Sequence, residues 1–182
     1  TCTTEHKVKG NIIDFINYPE RIFPIGRLDK DSSGLLLLTD DGQTAHKLIS
    51  PKYHAPKFYL VKLRDSFRNE YRKAFSDGIM LREGDREEPC LPASCEGIAE
   101  HLAVVELHEG KYHQVRRMFA AVGNHVDELL RVQIGQLSLP PDLPAGGYFN
   151  IINKEIDSAL KSSDISHVCE FCQCHYSSYW II

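Results

Sequence analysis

The sequence predicts an α+β fold: a mixed, largely antiparallel sheet with helices packed on it. Three observations lead there. Short apolar runs of strand length outnumber the helical patterns along the chain. The helical patterns come singly, without the strand–helix alternation that a parallel sheet requires. With 42% hydrophobic and 25% charged residues in 182, the composition suits one globular domain with a sizeable core.

Taken in order, residues 11–16 read as a short helix, and 21–25 and 35–39 as strands that flank a polar motif. Asp40-Asp41-Gly42 opens a helix over 43–49, with Ala45, Leu48 and Ile49 on its inner face. Residues 50–57 form a basic loop punctuated by Pro51 and Pro56, and 58–63 the next strand. A helix over 67–76 ends at Asp77-Gly78, and 79–81 and 90–93 read as short strands around a charged loop. Residues 102–107 are a strand that turns out through Glu109-Gly110-Lys111-Tyr112. Helix 114–122 follows from Val115, Met118, Phe119 and Val122 at i, i+3, i+4 and i+7, and Gly123-Asn124 closes it. Strands over 127–134 and 136–139, a proline-rich loop and a helix over 154–160 complete the periodic part. Residues 1–161 are read as the domain. Residues 162–182, rich in Cys and aromatics and without periodicity, read as an unassigned and poorly integrated tail.

The net charge of −4 excludes a polycation, so a nucleic-acid surface must be a local patch. No apolar run approaches the ~18 residues of a membrane span. Thr1-Cys2-Thr3-Thr4-Glu5-His6-Lys7 lacks the apolar centre of a signal peptide, and the expectation is a cytoplasmic protein with no membrane partner. Six cysteines read as free thiols. Cys169, Cys172 and Cys174, with His167 and His175, offer zinc-type ligands but no second ligand pair further along the chain. A thiol-rich tail without metal is expected.

The chemistry concentrates in Gly26-Arg27-Leu28-Asp29-Lys30-Asp31-Ser32-Ser33-Gly34. Ile22-Phe23-Pro24-Ile25 precedes it and Leu35-Leu36-Leu37-Leu38 follows, so its carboxylates are anchored beside a core. Polar groups there are costly unless paired. Asp29, Asp31, Ser33, Gly34 and Asp40 nearly match an EF-hand loop, but Pro24 and Gly26 stand where the entering helix must run. Asp29 and Asp31 also have the spacing of a magnesium phosphotransferase, whose parallel βαβ pattern is missing.

A third reading rests on resemblance. Residues 26–42 resemble the signature of RNA pseudouridine synthases of the small-subunit rRNA group and their large-subunit relatives. Lys57-Phe58-Tyr59-Leu60-Val61 resembles the family's second motif, and Glu109-Gly110-Lys111-Tyr112-His113-Gln114-Val115-Arg116-Arg117-Met118-Phe119 its third. Residues 131–139 resemble the strands that follow. The resemblance implies the pseudouridine synthase catalytic fold and isomerisation of a uridine in ribosomal RNA, with no cofactor and no metal. It implies Asp29 as the catalytic carboxylate, Arg116 as the cation that keeps it ionised, Tyr59 as the uracil-stacking aromatic, and Arg27 as the group filling the space of the flipped base. The helical wheel agrees for Arg116, which lies ~100° from Val115 at the edge of the apolar stripe, whereas Arg117 at ~200° faces solvent or RNA. Lys52, His54, Lys57, Lys111, His113 and Arg117 read as a phosphate-binding patch.

Residues 50–54, 110–114 and 119–126 resemble members that modify 16S rRNA, and 11–26 those that modify 23S rRNA. The 16S rRNA is the expected partner and 23S the alternative, met within a ribosomal assembly particle by a monomer. The family begins with a small RNA-binding domain and an Asn-Lys-Pro strand, and the resemblance starts after both. Lowered RNA affinity, or an impaired RNA-binding remnant, is the second expectation.

Overall fold

The computed structural model describes residues 12–16, 18–50, 55–83 and 86–176. The chain runs through α1 (Ile12–Phe15), β1 (Phe23–Ile25), β2 (Ser33–Gly34), β3 (Leu37–Thr39) and α2 (Gly42–Ile49). Then come β4 (Lys57–Leu63), α3 (Glu70–Asp77), β5 (Met80–Glu83), β6 (Arg86–Pro89), β7 (Ser94–Ala99) and β8 (Leu102–Leu107). α4 (Gln114–Ala121), β9 (Val126–Ile134), β10 (Leu137–Ser138), α5 (Asn153–Ser158) and α6 (Ile165–His175) complete it. The α+β expectation is borne out. The main sheet has the order β10-β9-β4-β8-β7 with antiparallel pairing throughout, and β2 joins β9 in parallel.

β4 lies between β8 and β9, and both of its faces are covered. Val61 and Leu63 point to one core, which α3 and α4 close with Tyr71, Phe75, Val115, Met118 and Phe119. The ring of Phe119 meets those of Tyr71 and Phe75 at 5.8 and 5.0 Å. Val115, Met118 and Phe119 are the residues that the helical spacing placed inward, with Val122 partly buried beside them. Phe58 and Leu60 point to the opposite face.

That opposite face is where the sequence misleads. The segment read as an aperiodic tail forms α6, started by the Asp164 side chain accepting from the Ser166 amide. It lays Val168, Cys172 and Tyr176 on Phe58, Leu60, Val104, Leu130 and Val132. Ile165, Val168, Cys169 and Cys172 stand on this face at helical spacing, but half of them are cysteines, so a search for large aliphatic residues overlooks the stripe. Cys172 is buried, Cys169 half-buried and Cys174 exposed, which sends the thiols in different directions. Burial pushes the Cys169 thiol up to about 11 and Cys172 to about 12. Among the described residues no three His, Cys, Asp or Glu side chains gather as metal ligands. Val168→Ala removes two methyls from this closed contact and is expected to lower stability by about 1–3 kcal/mol in urea unfolding, with no loss of secondary structure at low denaturant.

Other departures are local. The charged loop expected at 82–88 is itself a hairpin, with β5 paired to β6 and Arg82 Nε 2.9 Å from Glu87 Oε1. Its exposed charges hide a strand that buries little. Residues 90–93 carry no strand, although the Cys90 amide donates to Ile79 O, and the strand lies beyond them at β7, whose Ser, Gly and Ala give a weak pattern. Helix α3 starts at Glu70 because the Phe67 amide donates to Glu100 O, tying Phe67 to the β7–β8 turn. Ile49, expected inward, is exposed. Among the described residues no helix is long and apolar enough to cross a membrane.

Candidate active site

A cavity of about 720 Å³ opens on the face of the sheet that carries Lys57 and Tyr59. That volume lies within the range of small-molecule sites. One register feature shapes its floor. Tyr59 stands directly opposite Arg131 on β9, while Phe58 stands opposite Gln133, so Val132 is an extra residue in a β-bulge. A bulge of this kind re-aims the side chains that flank it. Here Ile134 and Arg131 both join Lys57, Tyr59 and Leu129 on the cavity side.

The signature motif forms the rim. Ile25 ends β1, Gly26 turns the chain at φ 77, and the Ser32 amide donates to Asp29 O across a tight turn. Gly34 then pairs with Arg131, at φ 111, and the Leu35 amide donates to Arg131 O. A Cβ on Gly34 would lie 2.3 Å from Arg131 O, so only glycine lets the motif approach β9 this closely. The tight turn puts Asp29 on the cavity wall, half-buried. Asp31 is exposed and gives the turn its carbonyl, not its carboxylate, to a partner.

Two arginines hold this rim. Arg131, 3% exposed, donates from Nε to Leu35 O at 2.8 Å and from Nη1 to Arg27 O at 3.3 Å, bracing the motif at both ends. Arg116 donates from Nη2 to Asp31 O at 2.7 Å and from Nη1 to Val126 O at 2.6 Å. Arg116 therefore touches the turn that carries Asp29. Among the described residues, however, the basic side chain within 4 Å of the Asp29 carboxylate is His113, with Nε2 3.6 Å from Oδ1.

His113 reaches Asp29 from a left-handed backbone, φ 47 and ψ 36, at the start of α4. A non-glycine residue there is strained, and such strain collects at functional sites. The exposed ring of Tyr112 stacks on the imidazole at 4.0 Å. Buried Gln114 fixes the turn behind it: its Oε1 accepts from the Lys111 amide and its Nε2 donates to Glu109 Oε1 at 2.6 Å. Lys111 is committed to Glu88, 2.5 Å away, and this hydrogen bond raises its ammonium above the usual lysine range. Arg117 donates to Tyr112 O and Arg82 O.

Asp29, Tyr59, Arg27, Lys57 and Lys111 all line the one cavity. His113 contacts it through Asp29, and Arg116 and Arg117 brace its rim from behind. Lys52 and His54 lie outside the described residues. Arg131, Gln114 and Ser32 were not singled out from the sequence. A signal existed for Arg131, since an arginine interrupts an apolar run of strand length at Leu129-Leu130-Arg131-Val132.

The RNA pseudouridylate synthase family matches residues 2–121 of the chain. A ribosomal small subunit pseudouridine synthase A of Haemophilus influenzae is 41% identical over 88% of this chain and 69% of its own length. The protein of the same name from Vibrio cholerae is 46% identical over 82% and 64%, and that from Escherichia coli K12 38% identical over 87% and 69%. The chain thus spans about two thirds of the length of the curated relatives it matches. A solved pseudouridylate synthase superposes with a TM-score of 0.77 at 42% identity, covering 82% of this chain and 65% of that one.

Proposed function

Because the chain belongs to the RNA pseudouridylate synthase family, we propose that its cavity takes a uridine flipped out of small-subunit ribosomal RNA and isomerises it to pseudouridine. The observation that carries this reading is the convergence of Asp29 and Tyr59 on one cavity large enough to take a nucleoside. The bond between C1′ and N1 breaks with its electron pair going to the base. The ring turns, C5 joins C1′, C5 loses its proton, and N1 regains one. Atoms and charge balance with no redox partner.

Asp29 supplies the carboxylate that opposes positive charge at C1′ as the bond breaks. His113 and the Arg116-braced turn keep that carboxylate placed, a fixed geometry that the reaction rewards. Tyr59 offers its ring to the uracil, an interaction worth ~1–3 kcal/mol per base, and its hydroxyl to proton transfer. Arg27, exposed at the rim, fills the space the base leaves. Lys52, His54, Lys57, Lys111, His113 and Arg117 are the proposed RNA contacts, with Lys111 and Arg117 also bracing the protein itself.

Incubation with transcribed 16S and 23S rRNA, followed by mapping at single-nucleotide resolution, tests the reading. A new pseudouridine in 16S rRNA is expected. A site in 23S rRNA alone overturns the substrate, and none in either RNA overturns the activity.

A further inference from the structure

The floor of the cavity carries more positive charge than the motif accounts for. Lys57 and Arg131 both line it, on adjacent strands, and Arg131 is 3% exposed. Among the described residues neither cation has a carboxylate within 4 Å. The two carboxylates on the cavity wall are engaged elsewhere: Asp29 faces His113, and Glu109 takes Gln114 and Lys111. Lys57 donates to Ala55 O at 3.2 Å, and Arg131 spends Nε and Nη1 on main-chain carbonyls. Its Nη2 is buried with no acceptor. Burial, and then the repulsion of Arg131, pull the Lys57 ammonium below the usual lysine range. A buried donor without an acceptor, beside a half-buried second cation and with no anion near either, is a costly arrangement that an anionic ligand relieves.

We propose that Lys57 and Arg131 form a subsite for a pyrimidine ring bearing negative charge on its carbonyl oxygens. The remaining walls suit a ring: Leu37, Leu107, Leu129 and Ile134 are apolar, and Tyr59 offers an aromatic face. A phosphate of the RNA strand would sit at the mouth, where the backbone can pass, rather than against the sheet floor, where Arg131 is buried. Resting on the function proposed above, the subsite receives the electron pair that leaves C1′ with the base, spread over O2 and O4. Binding of the charged ring at this floor lowers the barrier to breaking the bond.

The probe is 5-nitrouracil, which its nitro group makes anionic at neutral pH, followed by its absorbance on titration with the whole chain and compared with uracil. The wild type is expected to prefer the anion by about tenfold or more, Lys57→Met to lose that preference, and Lys57→Arg to keep most of it. Arg131 is left in place because it also holds the motif. Thermal melting of both variants shows that they fold. Equal affinity for the two bases, no binding of 5-nitrouracil, or a preference untouched in Lys57→Met overturns the subsite. Displacement of the probe by inorganic phosphate, where chloride at equal ionic strength fails, also overturns it in favour of a phosphate site. Because binding is read without turnover, a chain that binds the anion but leaves rRNA unmodified sinks the proposed activity and not the subsite.

Discussion

Asp29→Asn is expected to abolish pseudouridine formation while leaving the protein folded. The amide keeps the size of the carboxylate and its place 3.6 Å from His113, but it cannot oppose a cation at C1′. Loss of a charge placed at the reacting carbon corresponds to at least ~10³-fold in rate, about 4 kcal/mol of barrier. Asp29 is half-buried on a cavity wall and packs into no core cluster, so stability should change by less than about 0.5 kcal/mol. Single-turnover conversion of rRNA and urea unfolding read the two effects separately. Asp31→Asn is the control, because only the carbonyl of Asp31 is used, and it should retain activity. Equal losses in the two variants would place the chemistry elsewhere.

Gly34→Ala should damage both stability and activity. Its Cβ would stand 2.3 Å from Arg131 O and 2.6 Å from Arg131 N, main-chain atoms that cannot swing aside. The φ of 111 adds strain for any side chain. Together these amount to roughly 2–4 kcal/mol of destabilisation, relieved by pulling β2 off β9. The same movement breaks the hydrogen bonds from Arg131 to Leu35 O and Arg27 O, the two carbonyls that set where Asp29 stands. A displacement of about 1 Å at the reacting group is worth ~10²-fold in rate. Gly26→Ala is the comparison: its φ is also positive, at 77, but nothing lies within 4 Å of the added carbon. It should show only the smaller backbone strain. If the two substitutions behave alike, contact with β9 is not what holds the motif.

Much of this was legible because period and punctuation are local. Val115, Met118 and Phe119 announce α4 by their spacing, and the Asp41 carboxylate caps α2 through the Gln43 and Thr44 amides. The alternating faces of β4 follow from period 2. Family likeness then put Asp29, Tyr59 and Arg116 near one another. What stayed hidden has a weak local signature. The β5–β6 hairpin is exposed along β6 and charged, β7 has Ile98 as its one large apolar residue, and α6 fully buries one valine and one cysteine. Each is held by what it meets across space.

The sequence by itself determined the α+β class and the family, and it supplied the candidate site residues, because these depend on residue type and spacing along the chain. The tertiary structure decided what each of them faces. It set His113 against the Asp29 carboxylate and turned Arg116 to the Asp31 carbonyl behind it. It also brought Arg131, 96 residues beyond Leu35 along the chain, under the motif. Those outcomes rest on one bulge in β9 and one parallel pairing of two residues. Strand register is a non-local choice, and a shift of a single residue would have sent Arg131 to the other face of the sheet.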